Sequence, residues 1–106
     1  MIINITDPAK NNLNLMFSNY NLTEKNFRVY IKKISAWYGP IFYLALDEPT
    51  KNDMIFKSDD YNVILHKDLC DKIDVINIFF SGGEFRVSTD LSWKEEYYGA
   101  SWARPW

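Results

Sequence analysis

The segments FRVYIKKI at residues 27–34 and IFYLAL at residues 41–46 decide the fold of this chain. Both are rich in β-branched and aromatic residues that partly alternate with polar ones, a pattern typical of strands in a sheet. Between them, Tyr38-Gly39-Pro40 interrupts regular structure. We therefore expect two strands that pair as a hairpin.

The surrounding sequence predicts further strands and little helix. An amphipathic helix is expected at 8–19, where Asp7 caps the first turn and Pro8 occupies its first position. Its apolar residues, expected to face a sheet, are Leu13, Met16, Phe17 and Tyr20. Further strands are expected at 2–5, 54–57, 61–66, 75–80 and 85–89, and short helices at 67–73 and 93–98. The fold class is mainly β (α+β).

Composition indicates one compact domain and excludes several classes of partner. The chain has 106 residues, of which 47% are hydrophobic, and we divide it into a body at 1–89 and an aromatic-rich tail at 90–106. Its 12 basic and 14 acidic residues are scattered, so nucleic acid is not an expected partner. No apolar run approaches the roughly 20 residues of a membrane-spanning helix, and we expect a cytoplasmic protein.

A single cysteine, Cys70, excludes an intrachain disulfide and any all-cysteine metal cage within one chain. His66 lies four residues before it, a spacing that could pair two metal ligands on a helix. The better interpretation is that Cys70 packs as a small apolar side chain while His66 lies at the surface or caps a helix. The neighbouring Asp68 and Asp71 would raise the pKa of the Cys70 thiol, which argues against a reactive thiolate.

Candidate catalytic groups are few. The adjacent acidic pairs Asp47-Glu48 and Glu95-Glu96 are better interpreted as solvated charge, because both have turn or solvent explanations and adjacent residues on a strand would point to opposite faces. Gly82-Gly83 lacks the Lys and the following helix of a phosphate-binding loop and is expected to form a hairpin turn. Since no nucleophile and base can be paired by spacing, we do not expect an enzyme.

Aromatic residues form 17% of the chain, and seven of them have no evident place in the body of the fold. This candidate interaction patch consists of Trp37, Tyr38, Trp93, Tyr97, Tyr98, Trp102 and Trp106. In one interpretation the tail rings pack on Trp37 and fill a site there. In the other they stay exposed and anchor another subunit or protein, since Trp and Tyr are common interface hot spots. Both interpretations remain open.

Short segments in a fixed order resemble a known family. They are FRVYI at 27–31, GP at 39–40, LALDEP at 44–49, Asp53-x-Ile55-Phe56 and Gly83-x-Phe85-Arg86. Together they resemble the HesB-like, or IscA-like (A-type), iron-sulfur cluster biosynthesis proteins over residues 2–89, and LALDEP is the most specific segment. The resemblance implies a sandwich-like, mainly antiparallel or mixed β-structure with one N-terminal amphipathic helix. It also implies association as homodimers or larger oligomers.

The resemblance also implies three ligand positions, which the family fills with cysteine. Here they fall on Trp37, Glu96 and Tyr98, with Gly99 at the glycine of the tail motif. An indole nitrogen cannot replace a thiolate because it only donates a hydrogen bond, so Trp37 cannot be a ligand. We therefore expect no metal and no cofactor, and a divergent accessory factor that binds other proteins, including iron-sulfur assembly components.

Two alternatives remain from the sequence. In the first, the protein is a metal carrier with oxygen or nitrogen ligands such as Glu96 and Tyr98, although two such donors alone bind weakly. In the second, it is a small-molecule binding module that the aromatic tail closes over an apolar ligand.

Overall fold

The computed structural model describes residues 1–91 of the chain. In chain order, its elements are β1 (Ile2–Ile5), α1 (Asp7–Asn19), β2 (Asn26–Ser35), β3 (Gly39–Leu46), β4 (Asp53–Ser58), β5 (Tyr61–His66), α2 (Lys67–Cys70), β6 (Val75–Ser81) and β7 (Glu84–Thr89). The expected strands are all present within a residue or two of their predicted bounds. The helix predicted at 93–98 lies outside the described residues.

The seven strands form one nearly closed mixed sheet in the order β1-β6-β7-β3-β2-β5-β4. Only β1 with β6 and β2 with β5 pair in parallel, and the remaining neighbours are antiparallel. The mainly β, predominantly antiparallel fold expected from the sequence is therefore confirmed. In the described part of the chain, no helix has the length and apolar character to cross a membrane.

Helix α1 covers one face of this sheet and packs against β6. Its buried residues Ala9, Leu13 and Phe17 follow one another at intervals of four, which places them on one side of the helix. Tyr20 lies beyond the helix end and is 69% exposed, so the prediction that it faces the sheet was wrong. The cap also differs, because Thr6 Oγ1, and not Asp7, accepts the hydrogen bond from Ala9 N.

The core lies between α1 and the inner face of the sheet. Its completely buried strand residues come from β2, β5 and β6 and comprise Phe27, Val29, Val63, Leu65, Ile76 and Ile78. Helix α2 is shorter than predicted and ends at Cys70. The chain leaves the helix there, and Ile73 is buried in the core just before β6 begins. Burial of Ile73 therefore outweighs the local helical pattern.

Three hairpins connect antiparallel neighbours in the sheet, β2–β3, β4–β5 and β6–β7. Between β6 and β7, Gly82 and Gly83 have φ of 63° and 80°, and Ser81 pairs with Glu84 across them. Positive φ at both central residues is the requirement of the hairpin turn predicted there. Strand β3 begins at Gly39 and not at Ile41, since Pro40, which lacks an N–H, is tolerated at the start of a strand.

Candidate functional site

The turn between β2 and β3 is the most exposed aromatic feature of the described chain. Ser35 pairs with Gly39, leaving the three residues 36–38 in the turn, and Gly39 has φ of 76°. The backbone N–H groups of Trp37 and Tyr38 both donate to Ser35 Oγ, at 3.1 and 3.2 Å. These bonds hold the backbone, whereas the two side chains are 88% and 82% exposed. We call residues 36–38 the hairpin tip.

The described chain ends close to this tip. Leu91 is 8% exposed and lines a groove between β3 and β7. The groove residues are Tyr38, Pro40, Ile41, Phe42, Val87, Ser88, Thr89 and Leu91. Strands β3 and β7 pair at a single position, Phe42 with Val87, which leaves room for the groove beside it. The aromatic tail therefore starts at a point that shares a groove with the tip.

The structure describes two of the seven residues in the interaction patch predicted from the sequence, Trp37 and Tyr38. The other five, which are Trp93, Tyr97, Tyr98, Trp102 and Trp106, lie outside the described residues, as does Glu96. Of the three positions that correspond to the family's cysteines, only Trp37 is therefore placed. The two interpretations of the tail rings, packing on Trp37 or exposure as an anchor for another protein, both remain predictions.

His66 and Cys70 have structural roles, in agreement with the favoured interpretation. His66 is the N-cap of α2, and its Nδ1 accepts a hydrogen bond of 3.1 Å from Asp68 N. The Cys70 thiol donates to the carbonyl of His66 at 3.5 Å, and Cys70 packs against the core. Burial, together with the charges of Asp71 and Asp53, raises the pKa of the Cys70 thiol. Within residues 1–91, no three His, Cys, Asp or Glu side chains are grouped to hold a metal ion.

An ion-pair network that the sequence did not reveal lies at the other end of the β2–β3 hairpin. Arg28 donates from Nη1 and Nη2 to the two carboxylate oxygens of Asp53, both at 2.7 Å, and from Nε to Asp47 at 2.6 Å. Thr50 donates two further hydrogen bonds to Asp53 Oδ2, from its backbone N–H at 2.7 Å and from its hydroxyl at 2.9 Å. The Asp53 side chain is 1% exposed. Asp47 is thus part of a structural network and not solvated charge alone.

The electrostatics of this network follow from its geometry. The hydrogen bonds from Arg28 hold the pKa of Asp53 far below its usual range and also lower the pKa of Asp47. In return, the two carboxylates raise the pKa of Arg28. All three groups are charged at neutral pH, and none has the intermediate pKa expected of a general acid or base. The network therefore stabilises the connection between β3 and β4.

One sequence signal could have found this network. Arg28, Asp47 and Asp53 all belong to segments that resemble the HesB-like family. A lone Arg in the apolar run 27–31 destabilises the folded sheet unless a carboxylate pairs with its charge. Which carboxylate pairs with it depends on the strand register, and the sequence does not show that register.

Comparison with known proteins supports the fold. No protein-family model matches the chain, and no curated protein matches it. Among solved structures, IscA, crystallised with a 2Fe-2S cluster, has a TM-score of 0.61 over 84% of this chain and 86% of its own, with 16% identity. SufA from Escherichia coli, which is involved in the biosynthesis of iron-sulfur clusters, has a TM-score of 0.64 over 87% of this chain and 83% of its own, also with 16% identity. The chain therefore has the IscA-like, or HesB-like, fold that its sequence resemblance implied.

Proposed function

We propose that this protein is a divergent HesB-like accessory factor of iron-sulfur cluster biosynthesis, which acts in the cytoplasm by binding other proteins. Two observations support a role in that process. The fold is similar to those of IscA and SufA, and the sequence segments that resemble the family extend over residues 2–89. In this proposal the protein has no cluster of its own and is not an enzyme.

The exposed hairpin tip is the observation that carries this proposal. Trp37 and Tyr38 are large rings that protrude almost completely into solvent, on a turn whose backbone is held by Ser35. Aromatic side chains of this kind are common binding hot spots because they bury much area while losing little conformational entropy. A tip whose backbone is ordered before binding lowers the entropic cost further.

The residue types at the ligand positions support a change of role. Trp37 has no lone pair for iron, while Cys70, the single thiol of the chain, is hydrogen-bonded within the fold and has a raised pKa. In this proposal, a position used for a cluster in the related family has become an aromatic anchor. Homodimerisation, which the resemblance also implies, remains a prediction that sedimentation of the purified chain would test.

Affinity purification with two matched variants tests the proposal. A tagged full-length chain is expressed in its source cells, and co-purifying proteins are quantified by mass spectrometry. Iron-sulfur biosynthesis proteins should be enriched by the wild type and several-fold less by the Trp37→Ala/Tyr38→Ala variant. Tyr20→Ala removes an exposed ring elsewhere and should bind as the wild type does.

A direct measurement with an identified partner completes the test. Isothermal titration should show a loss of affinity of about 30-fold for the tip variant, since truncation of a hot-spot ring costs about 2 kcal/mol. The proposal is wrong if no iron-sulfur biosynthesis protein is enriched, or if its enrichment is the same for the tip variant and the wild type.

A further inference from the structure

The half of the β2–β3 hairpin that carries the tip is positively charged. Residues 31–43 include Lys32 and Lys33 but no Asp or Glu, although the chain as a whole has a net charge of -2. Two acidic groups near this hairpin, Asp47 and Asp53, lie at its opposite end, where they pair with Arg28. Asp90 lies nearer the tip, and its Oδ1 accepts hydrogen bonds from the backbone N–H groups of Asp74 and Val75. Charge is therefore distributed unevenly along the hairpin, and the positive segment next to the exposed rings forms no ion pair with a carboxylate of residues 1–91.

A β-bulge explains why both lysines are exposed. Ile31 pairs with Phe42 and Lys33 pairs with Ile41, so Lys32 is an extra residue on β2. Side chains alternate between the two faces of a regular strand, and one of two consecutive lysines would then point toward the core. A bulge interrupts the alternation and redirects side chains. Here Lys32 and Lys33 are both exposed to solvent.

The lysines have no carboxylate partner within residues 1–91, whereas several other cations do. The paired cations are Lys10, Lys25, Arg28 and Arg86. Lys32 instead lies over the ring of Tyr43, with its Nζ 4.1 Å from the ring centroid. Tyr43 is itself 41% exposed. This cation-π contact orients the ammonium group without neutralising it.

We propose that the protein partner of the hairpin tip presents an acidic segment, which binds to Lys32 and Lys33 while Trp37 and Tyr38 supply the apolar anchor. This inference rests on the proposed function in taking the partner to be a protein. Strand residues are spaced by about 3.3 Å, so the three residue steps from Lys33 to Ala36, the first residue of the tip, span about 10 Å. A single acidic peptide of a few residues can therefore contact the lysines and the rings together. Complementary charge at such a site increases the association rate and selects the partner.

An acidic protein segment fits this surface better than nucleic acid does. Nucleic-acid affinity comes mainly from several simultaneous phosphate contacts, and the surface offers two unpaired lysines in a chain of net negative charge. A peptide with carboxylates and apolar side chains needs only one or two ion pairs, since the aromatic rings supply most of the buried area.

A labelled peptide tests the inference. The probe is a short fluorescein-labelled peptide of alternating Glu and Leu, and its matched control has Gln in place of Glu. Fluorescence anisotropy with the full-length chain should show tighter binding of the acidic probe, which weakens as ionic strength rises to about 0.15 M. Lys32→Gln/Lys33→Gln should weaken binding about fivefold, the expected effect of losing two exposed ion pairs.

A second lysine pair controls for net charge. Lys51→Gln/Lys57→Gln removes the same charge from exposed positions outside the hairpin and should change the affinity less than twofold. Three outcomes would each overturn the inference. The first is an equal loss of affinity for both lysine pairs, the second is no preference for the acidic probe, and the third is tighter, lysine-dependent binding of a thymidine oligonucleotide.

A tip variant distinguishes this inference from the proposed function. If Trp37→Ala/Tyr38→Ala loses binding while the Lys32/Lys33 variant does not, the acidic-partner inference is wrong and the tip still acts as the anchor. If only the Lys32/Lys33 variant loses binding, the acidic segment is recognised and the tip is not the anchor.

Discussion

Arg28 on β2 and Asp53 at the start of β4 are joined by two parallel hydrogen bonds of 2.7 Å, across the strand β5 that separates them. By register, Ile64 of β5 pairs with Arg28 and lies between the two partners on the same face. Ile64 is completely buried, although it is outside the main core cluster. The ion pair thus joins β2 to β4 across β5, on the face of the sheet to which Ile64 belongs.

Asp53→Asn should destabilise the protein by about 3 kcal/mol, because it removes the buried carboxylate and leaves Arg28 with only the more exposed Asp47 as its partner. Urea unfolding followed by circular dichroism would measure the change. Asp60→Asn is the matched control, since Asp60 is 77% exposed and forms a surface pair with Lys25. The control should lose no more than about 0.5 kcal/mol, and equal losses for both variants would contradict the buried role of Asp53.

Arg28→Lys should also destabilise the fold, even though it keeps the positive charge. The guanidinium forms two parallel bonds to Asp53 and a third to Asp47, a geometry that an ammonium group cannot reproduce. A control of the same type is Arg86→Lys, because Arg86 pairs with Glu84 at an exposed position. Thermal unfolding should show a lower midpoint for Arg28→Lys than for Arg86→Lys. Equal midpoints would show that the three hydrogen bonds of the Arg28 guanidinium add no stability beyond that of a surface arginine.

Stability should decrease as the pH falls below about 4. Asp53 and Asp47 have lower pKa values in the folded chain than the usual value of about 3.9 in an unfolded one. The unfolded state therefore binds protons first, and the stabilisation is present above that pH and lost as the pH falls toward the folded pKa values. Urea midpoints between pH 6 and about 2.5 should show this slope, and Asp53→Asn should reduce it. If the slope is unchanged in Asp53→Asn, the loss of stability at low pH comes from other carboxylates.

Trp37 should fluoresce as a solvent-exposed indole in the full-length protein. Replacing Trp93, Trp102 and Trp106 with Phe leaves Trp37 as the single tryptophan, which can be excited selectively over tyrosine, while keeping aromatic rings in the tail. Since Trp37 is 88% exposed, its emission should be red-shifted and readily quenched by acrylamide. A chain that ends at Leu91 should behave identically. A blue shift that depends on residues 92–106 would instead support the interpretation in which the tail packs on Trp37.

Incubation with iron and sulfide should leave the purified protein without bound cluster or stoichiometric iron after gel filtration. The physical reason is the lack of thiolate at all three ligand positions and the burial of the Cys70 thiol. IscA, whose structure contains a 2Fe-2S cluster, is the positive control. Iron retained by the wild type but lost from Glu96→Ala/Tyr98→Phe would support the metal-carrier alternative.

The sequence by itself determined the elements that depend on near neighbours. Gly82-Gly83 predicts its turn because L side chains resist positive φ, and the alternating runs at 27–34 and 41–46 predict strands because one face of each must be buried. The apolar spacing of α1 likewise predicts two of its three buried residues, Leu13 and Phe17. Each of these features is encoded within a few residues of chain, where backbone preference and apolar periodicity act together.

Tertiary structure decided which distant residues meet. Arg28 and Asp53 are 25 residues apart, and their pairing follows from the parallel register of β2 with β5 and the antiparallel register of β4 with β5. The bulge at Lys32 and the exposure of the tip likewise depend on how β2 aligns with β3. Register is set by the packing of the whole core, since a shift by one residue would invert every side chain of a strand. No local pattern contains that information, so the carboxylate partners of Arg28 and the bulge that exposes Lys32 and Lys33 became visible only in the folded chain.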